Sequence, residues 1–128
     1  MEHFMTEKTK GLVARLTALR QNCDEQHVTK DFADFITRIS AHTEKPFSFN
    51  NLLLAFAETN GKATELHSLR TWNNLGKRVR KGSKGVKILL PRVWRKLNED
   101  GTETNIRYYS VGYLFDIKDV EAAPVKAA

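Results

Sequence analysis

The fold is decided by residues 86–117, whose sequence is VKILLPRVWRKLNEDGTETNIRYYSVGYLFDI. The first part, residues 86–97, opens with a β-branched apolar run that is typical of a strand. Asn98-Glu99-Asp100-Gly101 is a strong turn signal. Residues 104–117 then alternate as a return strand does, with Tyr109 and Tyr113 on one face and Tyr108 on the other. The stretch therefore predicts an antiparallel hairpin.

The sequence before this hairpin indicates helices. Apolar residues recur at helical spacing over about residues 5–22 and 30–42. A third helix and a short fourth helix follow, each between a capping residue and a residue suited to a helix end. The predicted N-caps are Thr29, Ser48 and Ser68, and the predicted ends are Asn60-Gly61 and Gly76. N-terminal helices followed by a small antiparallel β-sheet or hairpin give an α+β fold class.

The chain has 128 residues, the length of one domain. We expect that domain to occupy residues 1–118, and residues 119–128 to be a flexible tail or the start of a linker, because apolar periodicity stops there. No apolar run reaches the length that spans a bilayer, and the first residues have no apolar signal core. These features predict a cytoplasmic protein with no membrane partner. The single cysteine, Cys23, has no partner for an internal disulfide.

The positive charge of the chain is concentrated in one third of it. The whole chain has 21 Lys+Arg against 15 Asp+Glu, a net charge of +6. Residues 62–96 contain eleven bases and one acid, so this segment carries +10 and the remainder −4. Such asymmetry is typical of a surface that meets a polyanion, although a solvated face could also carry it.

Motifs of the common enzyme classes are missing from the sequence. There is no His-Glu-x-x-His, which a zinc protease of that type needs. The glycines at positions 76–85 do not have the spacing of a phosphate-binding loop, and no serine lies in a Gly-x-Ser-x-Gly elbow. We therefore expect no catalytic residues, no metal site and no cofactor, and a protein that is not an enzyme.

Residues 72–88, WNNLGKRVRKGSKGVKI, combine cations, glycines and a nearby set of aromatic residues. Lysine and arginine neutralise phosphates, glycine lets a backbone approach a ligand closely, and aromatic rings stack on unpaired bases. The candidate phosphate contacts are Arg70, Lys77, Arg78, Arg80, Lys81, Lys84 and Lys87. The candidate stacking residues are Trp72, Trp94, Tyr108 and Tyr113, with core packing as the alternative for each and the favoured one for Trp72. Gly76, Gly82 and Gly85 are expected to shape the loop.

A longer pattern in the chain carries a family resemblance. It runs from Ser48-x-Asn50-x-Leu52-Leu53 through Trp72-x-x-Leu75-Gly76 and Val79-x-Lys81-Gly82-x-Lys84-Gly85-Val86-x-Ile88 to Phe115-Asp116-Ile117. This order and spacing resemble the N-terminal single-stranded-DNA-binding domain of ArdC-type antirestriction proteins. Related domains occur in TraC-type plasmid primases and in phage polyvalent proteins.

The resemblance implies binding of single-stranded DNA with little sequence preference, in plasmid transfer, phage entry or another mobile-element setting. It points to Asn50 and to the run from Arg78 to Lys87 as contact residues. For Asn50, a local cap or a hydrogen bond that ties its helix to the basic loop is an equal alternative. In the family, a zinc-protease-like domain with a His-Glu-x-x-His helix commonly follows, and that motif is absent from these 128 residues.

Two other functions remain open at this point. The basic face could dock on a protein, such as a restriction enzyme or a conjugation or replication protein, and act as an interaction or antirestriction module. Alternatively, the domain could target a longer protein of metalloprotease or primase type to its substrate.

Overall fold

A computed structural model describes residues 5–124 of the chain. Its helices are α1 (Glu7–Arg20), α2 (Lys30–Ser40), α3 (Phe49–Thr59) and α4 (Leu69–Asn74). Its strands are β1 (Leu66–His67), β2 (Lys77–Val79), β3 (Val86–Leu97), β4 (Glu103–Asp116) and β5 (Val120–Ala122), with a 3-10 turn at Ile117–Asp119 before β5. The α+β class, with helices ahead of the small antiparallel sheet, is confirmed.

Local capping explains where the helices begin and end. Thr29, Ser48 and Ser68 each accept a hydrogen bond from the backbone N–H three residues further on, as the sequence predicts. This satisfies one of the amides that a helix start leaves without an intrahelical partner. Helix α3 ends at Asn60, which adopts the left-handed conformation with φ of 52°.

The predicted hairpin is the main element of the β-structure. Strands β3 and β4 pair in register from Val86 opposite Leu114 to Leu97 opposite Glu103. Strand β1 adds to the other edge of β4, so the three-stranded antiparallel sheet has the order β1-β4-β3. A second, two-stranded sheet pairs β2 with β5 in antiparallel fashion.

The chain after Ile117 differs from the expected tail. Residues 120–122 form β5, in which Val120 pairs with Val79 and is buried. The expectation of a flexible tail is therefore wrong for this segment, because hydrogen bonding to β2 fixes it in place. Residues 125–128 of the expected tail lie outside the described residues.

The hydrophobic core lies between the first three helices and the near end of the hairpin. Phe32 and Phe35 of α2 pack on Phe56 of α3, with ring centroids 4.9 and 5.3 Å apart. From β3 and β4, the core receives Val86, Ile88, Leu89 and Leu114. None of the helices within residues 5–124 is long and apolar enough to cross a membrane.

Beyond this core the hairpin continues as an arm, which we define as residues 91–97 and 103–109. Every residue of the arm is exposed except Ile106 and Tyr108, which are half-buried. At 3.4 Å per residue, seven paired positions extend about 24 Å. The core therefore supports one end of the hairpin and presents the other end to solvent.

Candidate nucleic-acid interface

The basic turn, defined as residues 80–85, connects β2 to β3. Its shape is set by a hydrogen bond from Ser83 N to Arg80 O and by Gly82, whose φ is 86°. A side chain at that φ would be strained, so the turn requires glycine there. Lys81 and Lys84 are both exposed on this turn.

Gly85 is required for a different reason, which is space. A Cβ at this position would lie 3.0 Å from both Cβ and Cδ1 of Tyr113. The tyrosine of β4 therefore packs directly across the backbone at the end of the basic turn. Any larger residue at position 85 would displace Tyr113.

Two of the expected phosphate contacts are already engaged by protein groups. Arg78 Nε donates to Glu121 Oε1 at 2.9 Å, an ion pair between β2 and β5. Arg80 Nη1 donates to the carbonyl oxygen of Lys118 at 2.7 Å. Both side chains are exposed, but their guanidinium groups also hold β5 and the preceding turn against β2. Lys81 and Lys84 are therefore better candidates than Arg78 and Arg80 for contacts with a phosphate.

Helix α1 adds cations that the sequence did not indicate. Lys8 and Arg15 of α1 line a cleft of 580 Å³ together with Lys84, Lys87 and Tyr113. Lys8 Nζ donates to the Tyr113 hydroxyl, and Arg15 Nη1 lies 3.8 Å from Glu58 Oε2. The structure thus brings three of the predicted site residues together, Lys84, Lys87 and Tyr113, at a cleft whose opposite wall is helical.

The arm carries Trp94 and Tyr108 on one of its faces. Residues directly opposite in an antiparallel ladder share a face, so Trp94 shares its face with the Arg92–Tyr108 and Lys96–Thr104 pairs. Trp94 is 38 % exposed, and Arg92 Nε donates to Ser110 Oγ at 3.0 Å. This face combines two aromatic rings and two cations. The opposite face carries Arg95 and Arg107.

Side-chain hydrogen bonds stabilise the turn at the end of the arm, residues 98–102. Asp100 accepts hydrogen bonds from Thr102 Oγ1 at 2.6 Å and from Thr102 N at 3.0 Å. These bonds hold the pKa of Asp100 below its usual value, because they favour the ionised carboxylate. Asn98 Nδ2 donates to the hydroxyls of Thr102 and Thr104.

Trp72 lies in the interior and is not part of this surface. It is 2 % exposed, and its indole Nε1 donates to the carbonyl oxygen of Phe115 at 2.8 Å. The expectation that Trp72 stacks on a base is wrong, because a base cannot reach the ring without displacing α4 from β4. The structure shows the alternative, in which Trp72 anchors the short helix.

Asn50 is engaged in a contact between helices. Its Oδ1 accepts a hydrogen bond from Arg20 Nη1 of α1 at 2.6 Å. Arg20 also donates to Glu25 at 2.7 Å, which raises the pKa of Arg20. Of the remaining predicted contacts, Arg70 and Lys77 are exposed on α4 and β2, which pack against each other.

Several residues that shape this interface could not be found by sequence reasoning. Arg92, Arg95, Lys96 and Arg107 lie on the arm, and the first three were visible only as part of the overall charge excess. Lys8 and Arg15 had no local signal, because only packing brings α1 to the basic turn. Within residues 5–124, no group of three or more His, Cys, Asp and Glu side chains is arranged to hold a metal ion.

Comparison with known proteins gives one family and a small set of solved structures. Residues 2–115 match the family described as the N-terminal domain of anti-restriction factor ArdC. The chain is similar to the metal-free crystal structure of the antirestriction protein ArdC from plasmid R388, with 20 % identity and a TM-score of 0.52 over 73 % of this chain and 41 % of that one. The Mn(II)-bound structure of the same protein gives 19 % identity and a TM-score of 0.46, over 73 % and 39 % of the two chains. Curated proteins give no match.

Proposed function

We propose that this chain, which belongs to the family of the N-terminal domain of anti-restriction factor ArdC, binds single-stranded DNA with little sequence preference. The contact surface consists of the exposed arm, the basic turn and the cleft beside α1. Phosphates lie against Lys81, Lys84 and Lys87, and unpaired bases stack on the aromatic face of the arm.

The observation that carries this proposal is the arm itself. It extends away from the core with Trp94 and Tyr108 on the same face as Arg92 and Lys96. A projecting hairpin of this kind adds little buried apolar surface to the fold, so its aromatic residues are not explained by core packing. Interleaved rings and cations are what a flexible polyanion with stackable bases needs.

Binding to a single strand is favoured over a duplex for a physical reason. Each unpaired base exposes a ring face that an aromatic side chain can cover, at about 1–3 kcal/mol per base. In a duplex those faces are already stacked, so only the phosphates remain available to non-specific contacts. The sequence preference is weak because every base offers a ring face.

The family gives this binding its setting. The chain spans about two fifths of the length of the ArdC structure that it resembles. We propose that it is a DNA-binding module without catalytic activity of its own, acting in the cytoplasm during transfer or entry of foreign DNA.

Salt dependence of binding tests the proposal. Affinity for a labelled single strand of about 20 nucleotides, longer than one small site, is measured at increasing NaCl concentrations. Contacts with about four to six phosphates predict a slope of log K against log salt of roughly −3 to −4. Absence of binding, or an affinity that salt does not change, would contradict the proposed function.

A further inference from the structure

A large groove lies between the helices and the base of the arm. Its volume is 1020 Å³, and it is bounded by α1, residues 42–48, α4 and the middle of the hairpin. The apolar side chains in its walls include Leu16, Leu75, Leu90, Pro91 and Tyr109. This size and lining are typical of sites for small organic groups. The proposed DNA-contact surface meets this groove at Pro91, Tyr109 and Tyr113.

A polar cluster lies among these apolar walls. Glu65 Oε2 is 2.8 Å from His67 Nε2, and Glu65 Oε1 is 3.8 Å from His42 Nδ1. His67 is 9 % exposed and is held edge-on against Trp72, with ring centroids 4.7 Å apart. Because His67 fixes one carboxylate oxygen, the Glu65 side chain has a defined orientation. The other oxygen retains capacity to accept a hydrogen bond from a ligand.

The groove is close to the proposed path of the DNA. Pro91, the first residue of the arm, lines the groove and is followed by Arg92, and Lys45 also lines the groove. On α4, Thr71 lines the groove next to the exposed Arg70. Cations that suit a phosphodiester therefore flank a largely apolar site whose lining includes Glu44 and the oriented carboxylate of Glu65.

A nucleobase has the chemistry that fits apolar walls beside a carboxylate. It has two apolar ring faces and a polar edge, and cytosine, adenine and guanine carry exocyclic amino groups on that edge. A carboxylate accepts hydrogen bonds from such an amino group, as in the pairing of Glu or Asp with cytosine N4. Thymine presents carbonyl oxygens on either side of one N–H, and these repel a carboxylate.

We propose that the groove holds one amino-bearing base extruded from a bound single strand, with its ring against Pro91 and Tyr109 and its amino edge at Glu65. This inference rests on the proposed function, because it assigns a further contact to the same ligand. It adds a modest preference to binding that is otherwise tolerant of sequence.

The test compares oligo-dC with oligo-dT of equal length in slightly alkaline buffer, where cytosine stays unprotonated. Both are pyrimidine strands with similar charge, so the ratio of the two affinities isolates the base contact. The wild-type chain is expected to bind oligo-dC about three- to ten-fold more tightly, the ratio that one net hydrogen bond supplies. Glu65→Gln should abolish this ratio, because an amide can pair with either base.

Two further variants separate the groove from general effects on DNA binding. Leu75→Trp fills the groove from the residue that follows α4, whereas Leu69→Trp places the same ring at the start of α4, outside the groove lining. Loss of the preference in Leu75→Trp and its retention in Leu69→Trp would support the proposal. Equal wild-type affinities for the two strands, or a preference unchanged in both Glu65→Gln and Leu75→Trp, would overturn it. If neither strand binds, the proposed function itself fails, and this inference fails with it.

Discussion

At the scale of the residue, the side chain of Asn51 forms hydrogen bonds with one residue on the outer edge of β3. Its Oδ1 accepts from Leu89 N and its Nδ2 donates to Leu89 O, both at 2.9 Å. The carboxamide thus replaces a neighbouring strand at the point where α3 crosses the sheet. This contact fixes the helix relative to the hairpin and therefore relative to the arm.

Asn51→Ala should lower the free energy of unfolding by about 2 kcal/mol, because both backbone groups of Leu89 lose their partners at a partly buried site. Urea denaturation measures this change. Asn51→Asp keeps the acceptor but loses the donor and should also destabilise the protein. Asn105→Ala on the exposed arm is the matched control, expected within about 0.5 kcal/mol of wild type. A loss at position 51 no larger than that of the control would refute the role of Asn51.

Residue-level predictability depends on distance along the chain. The caps Thr29, Ser48 and Ser68 were predictable because each bonds an amide three residues away. Asn51 bonds a residue 38 positions away, and Asp116, which is 5 % exposed, accepts from the amide of Thr64 at 2.9 Å, 52 positions away. A pattern of neighbouring residues in the sequence cannot predict such long-range contacts.

At the scale of the element, the arm is a long extension with its aromatic residues outside the core. Removing a ring there should affect ligand binding more than it affects stability, because the arm lies outside the hydrophobic core. Trp94→Ala is expected to weaken binding of single-stranded DNA by about ten-fold, near the lower end of the energy of one stacked base. Titrations followed by anisotropy measure the affinity, and thermal unfolding measures the stability.

Leu97→Ala provides the matched control for this variant. Leu97 lies on the opposite face of the same arm and is the most exposed of its apolar residues. Its truncation should leave DNA affinity unchanged within about two-fold, since an aliphatic side chain cannot stack on a base. An equal loss in both variants would mean that the arm acts through its overall shape and not through stacking.

The elements also differ in how far the sequence could predict them. The hairpin was predictable because alternation, a β-branched run and a turn signal coincide within residues 86–117. Strands β1, β2 and β5 have two or three residues each and pair with segments about 40 to 50 positions away. Such short strands are too short to show an alternating apolar pattern. The sequence of β5 therefore gave no strand signal, and we expected a tail there.

At the scale of the whole molecule, the location of the positive charge defines the proposed DNA-binding surface. Packing places Lys8 and Arg15 of α1 opposite Lys84 and Lys87, in a cleft that Glu7 and Glu58 also line. The cations of the surface therefore extend beyond residues 62–96. The sequence predicted the charge excess but not this extension, since α1 shows only its own amphipathic pattern. Two predicted cations, Arg78 and Arg80, also stabilise the β2–β5 region.

Lys81→Glu should therefore weaken binding to all single strands alike and make the salt slope shallower by about 0.7, the value for one phosphate contact. Lys30→Glu on α2 changes the net charge by the same amount at a position far from the basic turn in the sequence. Parallel salt titrations of the two variants compare them. A similar loss of affinity in both would indicate that net charge, and not the basic turn, controls binding.

The most direct test of the central claim compares a labelled single strand with a duplex of the same length and sequence, by anisotropy under identical salt. Stacking on the arm requires unpaired bases, so we predict at least about ten-fold tighter binding to the single strand, the contribution of roughly one stacked base. Equal or tighter binding to the duplex would contradict the account.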